Sequence, residues 1–134
     1  AKLSPPDSKN RISNFLHGKR LNQNDYFKKL EDSKFVLHTA SPMGIISTRV
    51  FEALGSGAIG MFSIDCEAGF LFNKNIDFIE FNGIKDLIKK LSKYKVAYRK
   101  NELQKIASQG RISVEENHTW NIRAKFFLNT IENC

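Results

Sequence analysis

Arg49 and Glu52 stand three residues apart in Ser47-Thr48-Arg49-Val50-Phe51-Glu52-Ala53-Leu54, between two short apolar runs at 34–38 and 58–62. The segment reads as strand, polar loop, short helix, glycine, strand. A loop feeding a helix N-terminus presents unpartnered backbone N–H groups at the positive end of the helix dipole, which suits an anion. At about 100° per residue, Val50, Phe51 and Leu54 fall on one side of the helix, and Thr48, Arg49 and Glu52 on the other. A cation and a carboxylate beside such a helix end suit the diphosphate and ribose of a nucleotide. The same pair also reads as a surface ion pair at i,i+3 on an ordinary amphipathic helix. Spacing alone leaves both readings open.

His38 ends the first apolar run, at the carboxyl edge where α/β sheets place ligands. Contact with a phosphate and a satisfied strand-end histidine are both open there. His118 is read as a capping or packing residue, and His17 has no visible context. No Ser/His/Asp or Cys/His constellation occurs, so no catalytic residue is named. No acidic pair has metal-binding spacing, and Asp65 and Glu67 are read as loop residues. No metal is expected.

The elements that must position these groups follow from periodicity. Residues 1–23 form a polar segment that includes Pro5 and Pro6. Within it, Ile12, Phe15 and Leu16 could make one face of a short helix. Asn24 is the expected N-cap of a helix carrying Tyr26, Phe27 and Leu30. Phe35-Val36-Leu37 reads as a buried strand, 58–64 as a second, and 76–81 as a short alternating edge strand. Asn82 is expected to cap a helix with Ile84, Leu87, Ile88 and Leu91 at i, i+3, i+4, i+7. Another helix should start near residue 98 with Leu103, Ile106 and Ala107 inward, and Gly110 either ends it or is tolerated within it. The last helix should start near Thr119, its stripe of Trp120, Ala124, Phe127, Leu128 and Ile131 packing on the domain. This order implies an α/β fold, a Rossmann-like parallel sheet flanked by helices, over residues 24–134.

The 134 residues suffice for one domain with a real core. A net charge of +7 points to an anionic partner: a nucleotide sugar, a phospholipid surface touched peripherally, or nucleic acid. Lysine on solvated faces explains part of that charge. The densest basic cluster, Lys85, Lys89, Lys90, Lys93, Lys95, Arg99 and Lys100, lies on and after the helix at 83, away from Arg49 and Glu52. Phe35, Phe51, Phe62 and Phe127 sit at core spacings with no interleaved lysine–aromatic surface, so nucleic acid is not expected. Cys66 and Cys134 make neither a metal site nor a disulfide framework, which suits a reducing cytoplasm. No run reaches the roughly 18 apolar residues of a membrane span.

Residues 48–59, Thr48-Arg49-Val50-Phe51-Glu52-Ala53-Leu54-Gly55-Ser56-Gly57-Ala58-Ile59, resemble the "R-x-x-E-A-x-x-x-G" segment of GT-B glycosyltransferases. The likeness is greatest to the spore-maturation-type group, with similarity also to exostosin-like enzymes. Residues 26–35 resemble the family's entry segment. Residues 76–81 with Gly83-Ile84-Lys85-Asp86-Leu87 resemble the strand and helix after the donor site. Ile106-Ala107-Ser108-Gln109-Gly110-Arg111 and then Glu116-Asn117-His118-Thr119-Trp120-Asn121-Ile122-Arg123 resemble the closing "IA…G" and "HT…R" helices. The resemblance spans roughly residues 24 to 131.

The resemblance implies the donor-binding half of a two-domain enzyme. The N-terminal half, or a partner chain, would supply the acceptor site and the base, so this half alone should transfer little. It further implies metal-independent binding of a nucleoside-diphosphate sugar, with the helix N-terminus and Arg49 on the diphosphate and Glu52 on the ribose hydroxyls. His38, Ser41, Met43, Gly44, Ser47 and Thr48 would line the sugar-phosphate pocket. Gly44 stands where a sister group of retaining enzymes has a further glutamate, eight positions before Glu52, so the stereochemistry stays open. Two rivals remain: an interaction domain that kept the fold and lost the site, and a basic nucleic-acid-binding module.

Overall fold

The computed structural model describes residues 21–41, 45–99 and 101–133. The short helix expected around residues 12–16, and the expected site residues Met43 and Gly44, lie outside them.

The first element is α1, Gln23–Glu31. Its cap is Asn22, two residues earlier than expected. Asn22 has extended backbone, its Oδ1 accepts from the Asp25 N–H at 2.8 Å, and its Nδ2 donates to Asp25 Oδ2 at 2.8 Å. That reciprocal pair satisfies an orphan donor which Asn24, already inside the helix, cannot reach. Then come β1 (Phe35–His38), α2 (Thr48–Gly55) and β2 (Ile59–Ser63). Two 3-10 turns follow, Ile64–Cys66 and Ala68–Phe70, and then β3 (Ile79–Phe81). Three helices complete the order: α3 (Gly83–Arg99), α4 (Gln104–Asn117) and α5 (Trp120–Glu132).

The sheet has the order β1-β2-β3 and is parallel throughout, with Phe35 opposite Ile59 and Met61 opposite Ile79. Parallel neighbours need a crossover, and α2 supplies the one between β1 and β2. All five residues of β2 are buried, as a central strand covered on both faces requires. Phe62 packs with Val50, Ala53 and Leu54 of α2, while Ile59 and Met61 face Leu87, Leu91, Tyr94 and Ala97 of α3. Helix α4 serves both sides, Ile106 and Ala107 on one and Val114 on the other. Helices on both faces of a small parallel sheet make this the expected Rossmann-like α/β domain. Gly60 lets α2 approach: a Cβ there would lie 2.9 Å from Leu54 Cδ2.

Several elements differ from expectation. β1, expected to be buried, is only partly so: Phe35 and Val36 are half-buried and Leu37 is 47% exposed, as on an edge strand. β3 begins at Ile79 rather than 76, because Asn75 is left-handed (φ 59°) and the Ile76 and Asp77 N–H groups close a turn on the Asn73 carbonyl. Helix α3 runs through Arg99, and α4 starts at Gln104 after Asn101 turns the chain (φ 59°). Gly110 lies inside α4 and is buried, where a Cβ would overlap the Asp77 carbonyl. Helix α5 starts where expected, with Thr119 Oγ1 accepting from the Ile122 N–H at 3.4 Å. Its stripe, however, is exposed: none of its residues is buried, Trp120 is 82% exposed and Phe127 64%. Phe127 is therefore not a core residue. Among the described residues, no helix is long and apolar enough to cross a membrane.

Candidate functional site

The carboxyl ends of β1 and β2 open on the loop that enters α2. Ser47 caps that helix, its Oγ accepting from the Arg49 N–H at 3.3 Å. The sorting of side chains holds for Val50 and Leu54, fully buried, and for Thr48 and Arg49, exposed, whereas Phe51 and Glu52, expected on opposite sides, are both half-buried.

No ion pair joins Arg49 to Glu52. Glu52 Oε2 instead accepts from the Tyr26 hydroxyl at 2.7 Å, a bond that ties α1 to α2. Burial pushes the Tyr26 pKa up, the Glu52 hydrogen bond adds to this, and the Arg49 charge opposes it. Tyr26 thus stays a donor at neutral pH. A carboxylate has about four acceptor positions, so Glu52 keeps most of its capacity.

His38, at the end of β1, is half-buried and packs edge-on against Phe62, with ring centroids 6.4 Å apart. Its carbonyl accepts from Cys66 Sγ at 3.4 Å, joining the ends of β1 and β2. Burial pushes the His38 pKa down, and the Arg49 charge lowers it further. Arg49 therefore acts electrostatically on both His38 and Tyr26, which groups three elements around the start of α2. Cys66 is a free, buried thiol.

A cavity of about 320 Å³ opens beside α2, within the size range of small-molecule sites. Of the expected site residues, Thr48 and Glu52 line it, with Ile46 and Phe51 beside them. His38, Ser41, Ser47 and Arg49 do not. Its other wall is the junction of α4 and α5: His118, which ends α4, and Trp120 and Arg123 of α5. Sequence reasoning gave no site role to these three, although the closing "HT…R" pattern held them.

His118 is wedged between Phe51 and Phe72, with centroids at 5.5 and 4.9 Å. Arg123 Cζ lies 4.8 Å from the Phe51 ring centroid, and a guanidinium nitrogen is 3.2 Å from His118 Nδ1. A guanidinium only donates, so Nδ1 accepts and the ring is neutral. The expected packing role of His118 is what the ring contacts describe.

Burial pushes the His118 pKa down and the Arg123 charge lowers it further, against a raising bond to the Leu71 backbone. The sign follows directly. A histidine depressed in the folded state contributes stability above its unfolded pKa of about 6.5 and loses it as pH falls through the folded value. Urea midpoints should therefore decline below pH ~6.5, and less steeply in His118→Phe. An unchanged slope in that variant would assign the acid sensitivity elsewhere, His38 first.

Among the described residues, no three His, Cys, Asp or Glu side chains are placed to hold a metal ion. The chemistry on offer is anion binding at the positive end of α2 and by guanidinium groups, and diol binding by a carboxylate.

A family model described as "Glycosyl transferase-like" matches residues 5–129, and the chain belongs to that family. No curated protein and no solved structure matches it significantly. Membership places the chain, in general terms, among proteins of glycosyl transfer.

Proposed function

We propose that this chain is the donor-binding half of a GT-B glycosyltransferase and holds a nucleoside-diphosphate sugar against α2. One observation carries the reading. Thr48 and Glu52 share a cavity wall beside a capped helix N-terminus at the carboxyl edge of a parallel sheet. Negative charge develops on the diphosphate as the glycosidic bond breaks. The positive end of the α2 dipole and the Arg49 guanidinium stabilise it, with no metal needed. Glu52 takes the ribose diol, one O–H per oxygen. On this reading the sugar-phosphate side also takes His38, Ser41 and Ser47, which lie outside the cavity wall, and Met43 and Gly44, which lie outside the described residues. The acceptor and the catalytic base belong to a second half across the cleft.

The test is a calorimetric titration with UDP, GDP, ADP, CDP and TDP in metal-free buffer. One nucleotide should bind saturably, and Arg49→Ala should weaken it about 10–100-fold, the worth of a charge-assisted bond. No response to any of them at millimolar concentration would sink the donor reading in favour of an interaction domain.

A further inference from the structure

Helix α3 packs Leu87, Leu91, Tyr94 and Ala97 on the sheet. Its opposite side carries Lys85, Lys89, Lys93 and Lys95, and among them Ile84 (66% exposed), Ile88 (58%) and Val96 (54%). The one acid of this helix is already paired. Asp86 pairs with Lys90 Nζ at 2.9 Å and accepts from the Asn82 N–H at 2.9 Å, while Lys90 also donates to the Glu80 carbonyl at 2.6 Å. The outer face is left cationic and aliphatic. Lys85, Lys89 and Lys93 follow at i,i+4, where like charges destabilise a helix. The aliphatic side chains between them gain by leaving water. A surface that is anionic and also admits aliphatic groups relieves both costs.

We propose that the outer face of α3 docks this chain on an anionic phospholipid surface. Basic helices of this kind lie in the headgroup plane, their aliphatic side chains at the acyl boundary and their lysines on the lipid charge. The three exposed apolar residues of this face are aliphatic, whereas single-stranded nucleic acid is held by stacking on aromatics. Because α3 and α2 cover opposite faces of the sheet, docking leaves the cavity beside α2 open.

The experiment is co-sedimentation with phosphatidylcholine vesicles, with and without phosphatidylglycerol, at low and high salt. The chain should partition onto the phosphatidylglycerol vesicles alone and leave them as salt rises. The triple variant Lys85→Gln, Lys89→Gln, Lys93→Gln should partition about 100-fold less. The pair Ile84→Ser, Ile88→Ser should weaken binding with its salt dependence intact. Lys125→Gln on α5 should change nothing, and circular dichroism should show every variant folded. Equal binding to both vesicles, none to either, or full binding by the triple variant would overturn the proposal. So would capture of an oligonucleotide by these lysines without vesicle binding.

Discussion

Glu52→Ala is expected to weaken nucleotide binding about 100-fold, since two hydrogen bonds to a charged acceptor are lost. Glu52 is half-buried in the cavity wall, and among the described residues its one donor is the Tyr26 hydroxyl, on Oε2. Two ribose O–H groups therefore have acceptors available. Deoxyribose analogues separate this role from general electrostatics. Wild type should lose affinity for 2′- and 3′-deoxy nucleotides, whereas Glu52→Ala should barely distinguish them from the ribose form. Glu52→Gln keeps the shape and one acceptor, so it should fall between. If Glu52→Ala binds as tightly as wild type, Glu52 has no part in ribose recognition.

The second large effect runs against helix propensity. Alanine is a better helix former than glycine by about 1 kcal/mol. Yet Gly110→Ala should destabilise the domain by about 2 kcal/mol in urea unfolding. The added methyl would overlap the Asp77 carbonyl and crowd Leu54 Cδ2 at 3.0 Å. That carbonyl cannot easily retreat. Asp77 is buried, and its Oδ2 accepts from the Asn73 N–H at 2.7 Å and from Asn73 Nδ2 at 3.3 Å. A stabilised Gly110→Ala would show that the 73–78 turn yields instead.

The parts legible in the sequence were those set by local pattern. Val50 and Leu54 at i,i+4 and the apolar run of β2 were placed by period. What stayed hidden depends on tertiary partners. Tyr26 and Glu52 are 26 positions apart, so the bond that replaces an Arg49–Glu52 pair left no local trace. The second cavity wall comes from the α4–α5 junction, where His118 and Arg123 meet Phe51 only through folding. Gly110 could be read as a helix end or as a tolerated glycine, because what selects it is the Asp77 backbone beside it. The α5 stripe has the period of a buried face, and period does not say whether anything covers it.

Helix α4 contributes Val114 to one face of the core and Ile106 and Ala107 to the other, with Leu103 just before it. Vectorial synthesis therefore releases β1, α2 and β2 well before the chain can close over them. At about 5–20 residues per second, the segment from Ile64 to Val114 takes on the order of 3–10 s to make. For that interval the nascent chain lacks α4, and until α3 is made Ile59 and Met61 stay uncovered while α2 already packs on Phe62. The ribosome-bound intermediate is thus a natural client for hydrophobic-binding chaperones, and slow codons downstream of β2 would prolong that dependence.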